Sequence, residues 1–593
     1  MAKSKKKSNQ TKKDEQFLGD DPFEDIDLHW VHQEEGEPRI EVLGQDPFAE
    51  MDVEWVFDET GSSLETLDEE TDPTLEQEAP VAPDDWSLGE GEVPELGQVV
   101  VERLPLDRGI SPAEKTEDRS ILEPALTIEA PPLPRREEIA TLAMVDEDEE
   151  RPRPSAVFHF PDDFKWGVAT AAHQVEGDNI HNDWWRWEQA NGHVEKGHVS
   201  GQACDWWENA EADFDRAAAM GLNAMRLSVE WSRIEPQPGV FDESALTRYA
   251  EMLQGLRARG IEPMVTLHHF TNPLWMIERG GWEMPEAIDL FTRYVRRTVG
   301  ALGQYCDMWC TINEPNVYGY MGYLEGAFPP GKADLGVGFR VIRHLLRAHA
   351  AAYREIHAIQ PDAKVGLAHN MRPFDPFNPR SPLDHLVTGL TDRVYNQAIL
   401  TALTKGLWML PLGFGLAWRL RKTLDWIGLN YYTRDLIAFD HSQSQALFCH
   451  RRHADSAEML DGEYGEFYPE GLFRCLQRLS RLGLPIYVTE NGLPDDDDDQ
   501  RPRYLLTHLH QMWHAIQLCY PVMGYYHWTL VDNFEWAEGW TLRFGLIELD
   551  PATQARTPRR SARLYAETVG ANAIRPDVID AYAPELRSVL LPG

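Results

Sequence analysis

Two glutamates stand in surroundings that invite chemistry. Glu314 lies in "CTINEPN" (310–316), between an asparagine and a proline, and Glu490 lies in "YVTENG" (487–492). A single Glu in a turn is usually solvated and inert. Two carboxyl groups facing one another over a sugar ring are the apparatus of glycosidic bond cleavage. One keeps its proton and gives it to the leaving oxygen; the other is ionised and attacks the anomeric carbon. Their environments must therefore push the two pKa values apart. A separation of about 5–5.5 Å means double displacement with retention, and roughly 6.5–9.5 Å means inversion.

Such a pair needs a frame that brings distant residues together. From Phe158 onward, apolar strand-like runs alternate with amphipathic helical stretches. The strand candidates are "WGVATA" from Trp166, "NAMRLSVEW" from Asn223, "EPMVTLHHF" from Glu262 and "MWCTINEP" from Met308. They continue with "KVGLAHN" from Lys364, "DWIGLNYY" from Asp425, "PIYVTEN" from Pro485 and "VMGYYHWTLV" from Val522. Between them, "EADFDRAAAMGL" and "PEAIDLFTRYVRRTVGALG" carry apolar residues at helical intervals. Eight strands alternating with helices suit a (β/α)8 TIM barrel, although an open doubly wound sheet shares the alternation. The runs start apolar and end polar: His268 and His269, Asn313 and Glu314, Asn430 to Tyr432, Glu490 and Asn491, and Trp528. In a barrel these ends converge on one face, where the fourth and seventh strands lie across the mouth from each other. Glu314 and Glu490 are then expected to face one another over a cleft.

These stretches carry a family resemblance. "TINEP" and "VTENG" resemble the acid/base and nucleophile motifs of glycoside hydrolase family 1, the β-glucosidase and β-galactosidase family. "FKWGVATAAHQVEG" (164–177), "RLSVEWSRIEP" (226–236), "TLHHFTNP" (266–273), "DWIGLNYYT" (425–433), "HWTLVDNFEWAEGW" and "RFGLIELD" (within 527–550) resemble its other strand motifs, in family order. "FPPG" (328–331) and "NAIRPDVIDAY" look most like archaeal-type β-glycosidases. The resemblance implies Glu314 as general acid and then base, and Glu490 as nucleophile, in a retaining β-glycosidase. It implies Arg226 and Tyr432 as the residues that hold Glu490. Asn313 would meet the sugar 2-hydroxyl, and Gln174, His269 and Glu535 would bind ring hydroxyls. Trp528 would form the stacking floor with Trp536 nearby, since sugar C–H faces are apolar while their edges are polar. No cofactor and no metal are implied. Family members acting on 6-phosphorylated sugars carry Ser and Lys where Glu535 stands, so unphosphorylated β-glucosides or β-galactosides are expected. Two departures appear: Phe270 follows His269 where the family usually has Trp, and the stretch of roughly 371–424 looks shorter than usual. A transglycosylase using the same intermediate is an alternative. An inert barrel serving as a binding or scaffold module is a more distant one.

Composition adds the rest. The 593-residue chain has a formal net charge of −42, unevenly spread. Residues 1–155 hold 43 Asp or Glu against 15 Lys or Arg; the remainder hold 55 against 41. The first segment, rich in Glu, Asp and Pro, is expected to be a disordered acidic extension (1–155) ahead of a glycoside hydrolase domain (156–593). It contains a repeat, "DPFEDIDLHWV" from Asp21 and "DPFAEMDVEWV" from Asp46, whose Phe23, Trp30, Phe48 and Trp55 could anchor a protein partner. So acidic a chain is expected to avoid nucleic acid and anionic membrane. No apolar core follows the basic N-terminus and no run is long enough to span a bilayer, so a cytoplasmic protein is expected. Six scattered cysteines read as small buried thiols, and "DDDDD" (495–499) as a solvated loop, with a calcium site as the alternative although the run lacks the Gly and spaced ligands of an EF-hand.

Overall fold

The computed structural model describes residues 156–443 and 447–591. The acidic extension, its repeat and the domain boundary drawn at its end lie outside the described residues. The eight strand candidates all form strands: β1 (Lys165–Ala169), β2 (Ala224–Ser228), β3 (Glu262–Thr266), β4 (Met308–Asn313), β5 (Lys364–Asn370), β6 (Trp426–Asn430), β7 (Ile486–Asn491) and β8 (Val522–Trp528). They pair in parallel and in sequence order, and β8 returns to β1, closing a TIM barrel. Closure decides between the barrel and the open sheet that the alternation left possible.

Burial explains the apolar runs. Every residue of β2, β4, β6 and β7 is buried, because a parallel barrel strand has side chains inside and helices outside. The principal helices around the barrel include α1 (Trp206–Ala219), α2 (Glu243–Ala258), α3 (Ala287–Leu302), α4 (Leu335–Ile359), α5 (Ala398–Lys405), α6 (Glu470–Ser480), α7 (Arg501–Gln517) and α8 (Arg560–Ala571). On α3, Phe291, Tyr294, Val295, Thr298, Val299 and Leu302 turn inward at three- and four-residue steps. The Asp242 carboxylate accepts from the Ser244 and Ala245 N–H groups and so caps α2. A short antiparallel pairing of Phe158–His159 with Ala573–Ile574 ties the start of the barrel region to its end.

Register then places the site. Asn370 pairs with Asn430, and Asn430 with Glu490, so β5, β6 and β7 end in one layer. Ala169 pairs with Arg226 on one side and Trp528 on the other. Ladder irregularities fall beside Asn313, Asn430 and Glu490. Bulges of this kind re-aim side chains and cluster near active sites. No helix among the described residues is long and apolar enough to cross a membrane.

Two local expectations change. Cys204, Cys306, Cys310 and Cys475 are buried thiols, but Cys449 is half-buried and Cys519 exposed. The acidic run is only partly solvated: Asp495 is buried, and its Oδ2 accepts from the Gln500 and Arg501 N–H groups at the start of α7. Asp498 pairs with the fully buried Arg501 guanidinium and accepts from the Ser561 N–H at the start of α8. The run therefore joins two helices through one buried cation. Arg501→Met should leave Asp495 and Asp498 unpaired and cost about 3–5 kcal/mol, measured by denaturant unfolding; a loss under about 1 kcal/mol, the size of a surface pair, would contradict this account.

Candidate active site

Glu490 ends β7 with both carboxylate oxygens engaged. Arg226 Nη1 donates to Oε1 at 2.5 Å, and the Tyr432 hydroxyl donates to Oε2 at 2.6 Å. Arg226 is itself buried and held by its neighbours. Its Nη2 donates to Asn313 Oδ1 at 2.7 Å and its Nε to Thr266 Oγ1 at 3.1 Å. Burial opposes the guanidinium charge most, but the neighbouring acidic groups, Glu490 foremost, together outweigh it and the pKa stays above its ordinary value.

Glu314 follows β4 in a left-handed backbone conformation (φ 44°) that turns the chain into the short helix Pro315–Tyr320. Among the described residues, only amide donors reach its carboxyl group. Asn370 Nδ2 and Asn430 Nδ2 each donate to Oε1 at 2.8 Å. Burial, then repulsion from Glu490, pushes its pKa up from an ordinary 4.5 to about 8. Asn430 also donates to Asn313 Oδ1 at 3.1 Å. Glu490, Arg226, Asn313, Asn430 and Glu314 thus form one connected set. Both glutamates border the same cavity, with His269, Tyr432, Trp528, Glu535 and Trp536.

The other residues singled out in the sequence gather beside these. Asn313 Nδ2 meets His269 Nε2 at 3.1 Å, and the His269 ring stacks between Trp528 and Trp536 at 5.9 and 6.0 Å. Burial, and the Arg226 charge after it, hold His269 well below its usual pKa, so the imidazole is neutral. Gln174 Nε2 donates to Glu535 Oε2 at 3.1 Å. Burial raises the Glu535 pKa well above its ordinary range, with Glu538 adding to the effect. Gln174 Oε1 and His269 Nδ1 are buried without a partner among the described residues. Such groups are costly unless something bonds to them. Phe270 packs against Tyr318, Phe328 and Trp536 rather than standing free at a rim.

Sequence reasoning gave no role to Asn370 and Asn430, the amides on Glu314. Both end barrel strands, and that position was the available signal. Gly492 was also passed over: a Cβ there would lie 1.9 Å from the Trp528 carbonyl oxygen, so only glycine lets β7 and β8 meet behind Glu490.

A closed (β/α)8 barrel with paired carboxyl groups in an aromatic cavity at its strand ends has the apparatus of a glycosidase. Residues 157–574 match glycosyl hydrolase family 1, and the chain belongs to that family. It is 32% identical over 500 residues to a β-galactosidase of Pyrococcus woesei, covering 70% of this chain and 98% of that protein. It is also 32% identical over 444 residues to β-glucosidase A of Thermotoga maritima, with the same coverage. Among solved structures it is similar to a β-glycosidase from Pyrococcus horikoshii (35% identity, TM-score 0.68, 72% of this chain and 98% of that chain). It is likewise similar to the T. maritima β-glucosidase in complex with glucoimidazole (32%, TM-score 0.67, 70% of this chain and 100% of that chain).

The raised Glu314 pKa fixes the sign of a stability effect. Below pH 4.5 the folded and unfolded chains both hold this proton. As pH rises from 4.5 to about 8 only the folded chain keeps it, so stability is lost across that window. Glu314→Gln removes this penalty. Its melting temperature should match wild type at the acid end and exceed it by several degrees near pH 8. A pH-independent difference would contradict the raised pKa.

Proposed function

We propose that this chain hydrolyses unphosphorylated β-glucosides or β-galactosides by double displacement. The observation that carries glycosidic cleavage is the asymmetry between the two carboxyl groups; double displacement rather than inversion is supported by the family to which the chain belongs. Glu490 is matched to a guanidinium, whereas Glu314 has only neutral donors and a pKa near 8. In this reaction Glu490 attacks the anomeric carbon while Glu314 gives its proton to the departing glycosidic oxygen. The Glu490–sugar ester forms as the bond to the aglycone breaks. Glu314, now ionised, takes a proton from water; the water oxygen displaces Glu490 and the sugar leaves. Tyr432 fixes the angle of Glu490. The second N–H of Asn313 bonds the 2-hydroxyl, and Gln174, His269 and Glu535 bond the other ring hydroxyls over the Trp528 and Trp536 faces.

The glycone assignment is supported by the relatives named β-galactosidase and β-glucosidase. Among the described residues, the cations bordering the cavity are Arg372 and Arg451. They are bonded to Asp435 and to Tyr320 and Glu325, so no free cation stands ready for a sugar phosphate. Glu314 must face the leaving group, and the cavity it borders is also lined by Val317, Met321, Leu324, Phe328, Phe374 and Val394. Such a wall suits an apolar aglycone.

Glu490→Gln should lower turnover of an aryl β-glucoside on the order of 10³–10⁶-fold. Glu314→Gln should cost about 10²–10⁴-fold for an alkyl glucoside, and far less where an activated phenolate leaves without a proton. Wild-type rates in Glu490→Gln would remove the nucleophile assignment. Products formed with an added alcohol acceptor would separate hydrolysis from glycosyl transfer. In a substrate panel, kcat/KM should rank aryl and alkyl β-glycosides above sugar-linked disaccharides, and both above their 6-phosphates. Preference for a 6-phosphate would overturn the glycone reading, and preference for disaccharides the aglycone reading.

A further inference from the structure

The connection from α5 to β6 builds a surface that the active site does not use. From Arg393 to Leu424 the chain carries no Asp or Glu and five Lys or Arg, although its overall charge is −42. Within this run, Leu407–Trp408 and Gly415–Leu416 pair as an antiparallel hairpin that leads the chain back to the start of β6. The start of a barrel strand lies opposite the catalytic strand ends. The hairpin turns large apolar groups outward: Phe414 is 92% exposed, Trp418 72%, Leu410 68% and Leu416 62%. Scattered exposed apolar residues are ordinary, but four in nine positions form a patch that marks an interaction surface.

Cations surround it. Lys405, Arg419, Arg421 and Lys422 flank the hairpin in sequence and are exposed. Arg340, Arg343, Arg347 and Arg354 repeat along α4 at three-, four- and seven-residue steps, which places them on one face. That face meets the hairpin. Arg347 lies 5.8 Å from the Trp408 ring, a Cβ at Gly413 would be 3.6 Å from Arg343 Nη1, and Arg354 donates to the Arg419 carbonyl. Burial, then the charges of Arg347 and Arg340, hold the Arg343 pKa below its ordinary value, as expected of crowded cations without a counter-ion. The acids bounding the run are already engaged: Asp392 with Arg478, and Asp425 with His357. Among the described residues, no ion pair reaches any of these eight cations.

We propose that the 407–418 hairpin and its cationic rim dock this chain on a lipid surface bearing anionic headgroups. The chemistry is that of an interfacial anchor. Trp and Phe sit at the headgroup–acyl boundary, leucines enter it, and Lys and Arg bond the phosphates while their stems cover apolar surface. The expectation that so acidic a chain avoids anionic membrane rests on net charge, which this patch locally inverts. The proposal does not depend on the reaction assigned to the barrel.

The test is co-sedimentation of the full chain with phosphatidylcholine vesicles, with and without about one third phosphatidylglycerol. Three proteins are compared: wild type, Phe414→Ser/Trp418→Ser and Arg419→Glu/Lys422→Glu. Turnover of a soluble aryl glycoside checks that the barrel is folded, since none of these residues borders the catalytic cavity. Wild type should pellet with the anionic vesicles, much less at high salt, and hardly with phosphatidylcholine alone. Each variant should lose at least about fivefold of that partition at unchanged turnover. Failure of wild type to pellet overturns the proposal. So does equal pelleting of wild type and variants, which would assign binding to the basic first 13 residues instead. Variants that dissociate an oligomer without changing vesicle binding would make the hairpin a contact between copies of this chain.

Discussion

One buried guanidinium must serve two buried carboxyl groups, and the electrostatics of the cavity follow from that count. Arg226 spends its shortest contact, 2.5 Å, on Glu490. The same nitrogen also reaches the Thr489 carbonyl, and the other two go to Asn313 and Thr266, none of these partners charged. The single positive charge therefore balances one negative charge. Glu314 is left with two carboxamide donors, which cannot offset both desolvation and a nearby anion. Of the two carboxyl groups linked through Arg226 and Asn313, the one without a cation of its own, Glu314, keeps its proton up to about pH 8. In the proposed reaction that is the required starting state, and it arises from charge count rather than from any special feature of either glutamate.

The barrel makes this count enforceable. Arg226 rises from β2 and binds groups from β3, β4 and β7, so one side chain ties strand ends that are far apart in sequence. The ladder irregularities beside Asn313, Asn430 and Glu490 turn these side chains inward where regular pleating would alternate them. The aromatic wall has a second use. Trp528, Trp536 and the neutral His269 ring are themselves buried beside these groups, and such weakly polar neighbours strengthen each charge–charge interaction. His269 is neutral because it is buried near Arg226, so the cation paired with Glu490 also keeps the imidazole able to accept as well as donate.

The eight strands were legible because each combines an apolar run with a polar end, a pattern that burial on both faces imposes. The two glutamates were legible because their local motifs carry a strong resemblance. Asn370 and Asn430 went without a role because an asparagine at a strand end has no sequence mark separating a carboxyl donor from a loop residue. The acidic run at 495–499 reads as solvated, and Asp496, Asp497 and Asp499 are exposed, but the engagement of Asp495 and Asp498 is not legible, for a related reason. What buries Asp495 is its position against Arg501, and what engages Asp498 is also the start of a helix more than sixty residues away. Pairing across the fold is invisible to composition. The exposed hairpin is the converse case: a short apolar run reads equally as core or surface until its neighbours are known, yet its lack of acids was plain in the sequence.

That lack of acids shows where net charge stops being informative. A charge of −42 describes the field at a distance from the whole chain. Near a surface, ions screen anything beyond about 8–10 Å, so a partner touching the 407–418 hairpin senses mainly the side chains within that range. Those include Arg343, Arg347, Arg419, Arg421 and Lys422, with Asp392 and Asp425 neutralised by partners of their own. Within one chain, then, an acidic average and a cationic contact face coexist without conflict, and it is the contact face that selects what the surface can touch.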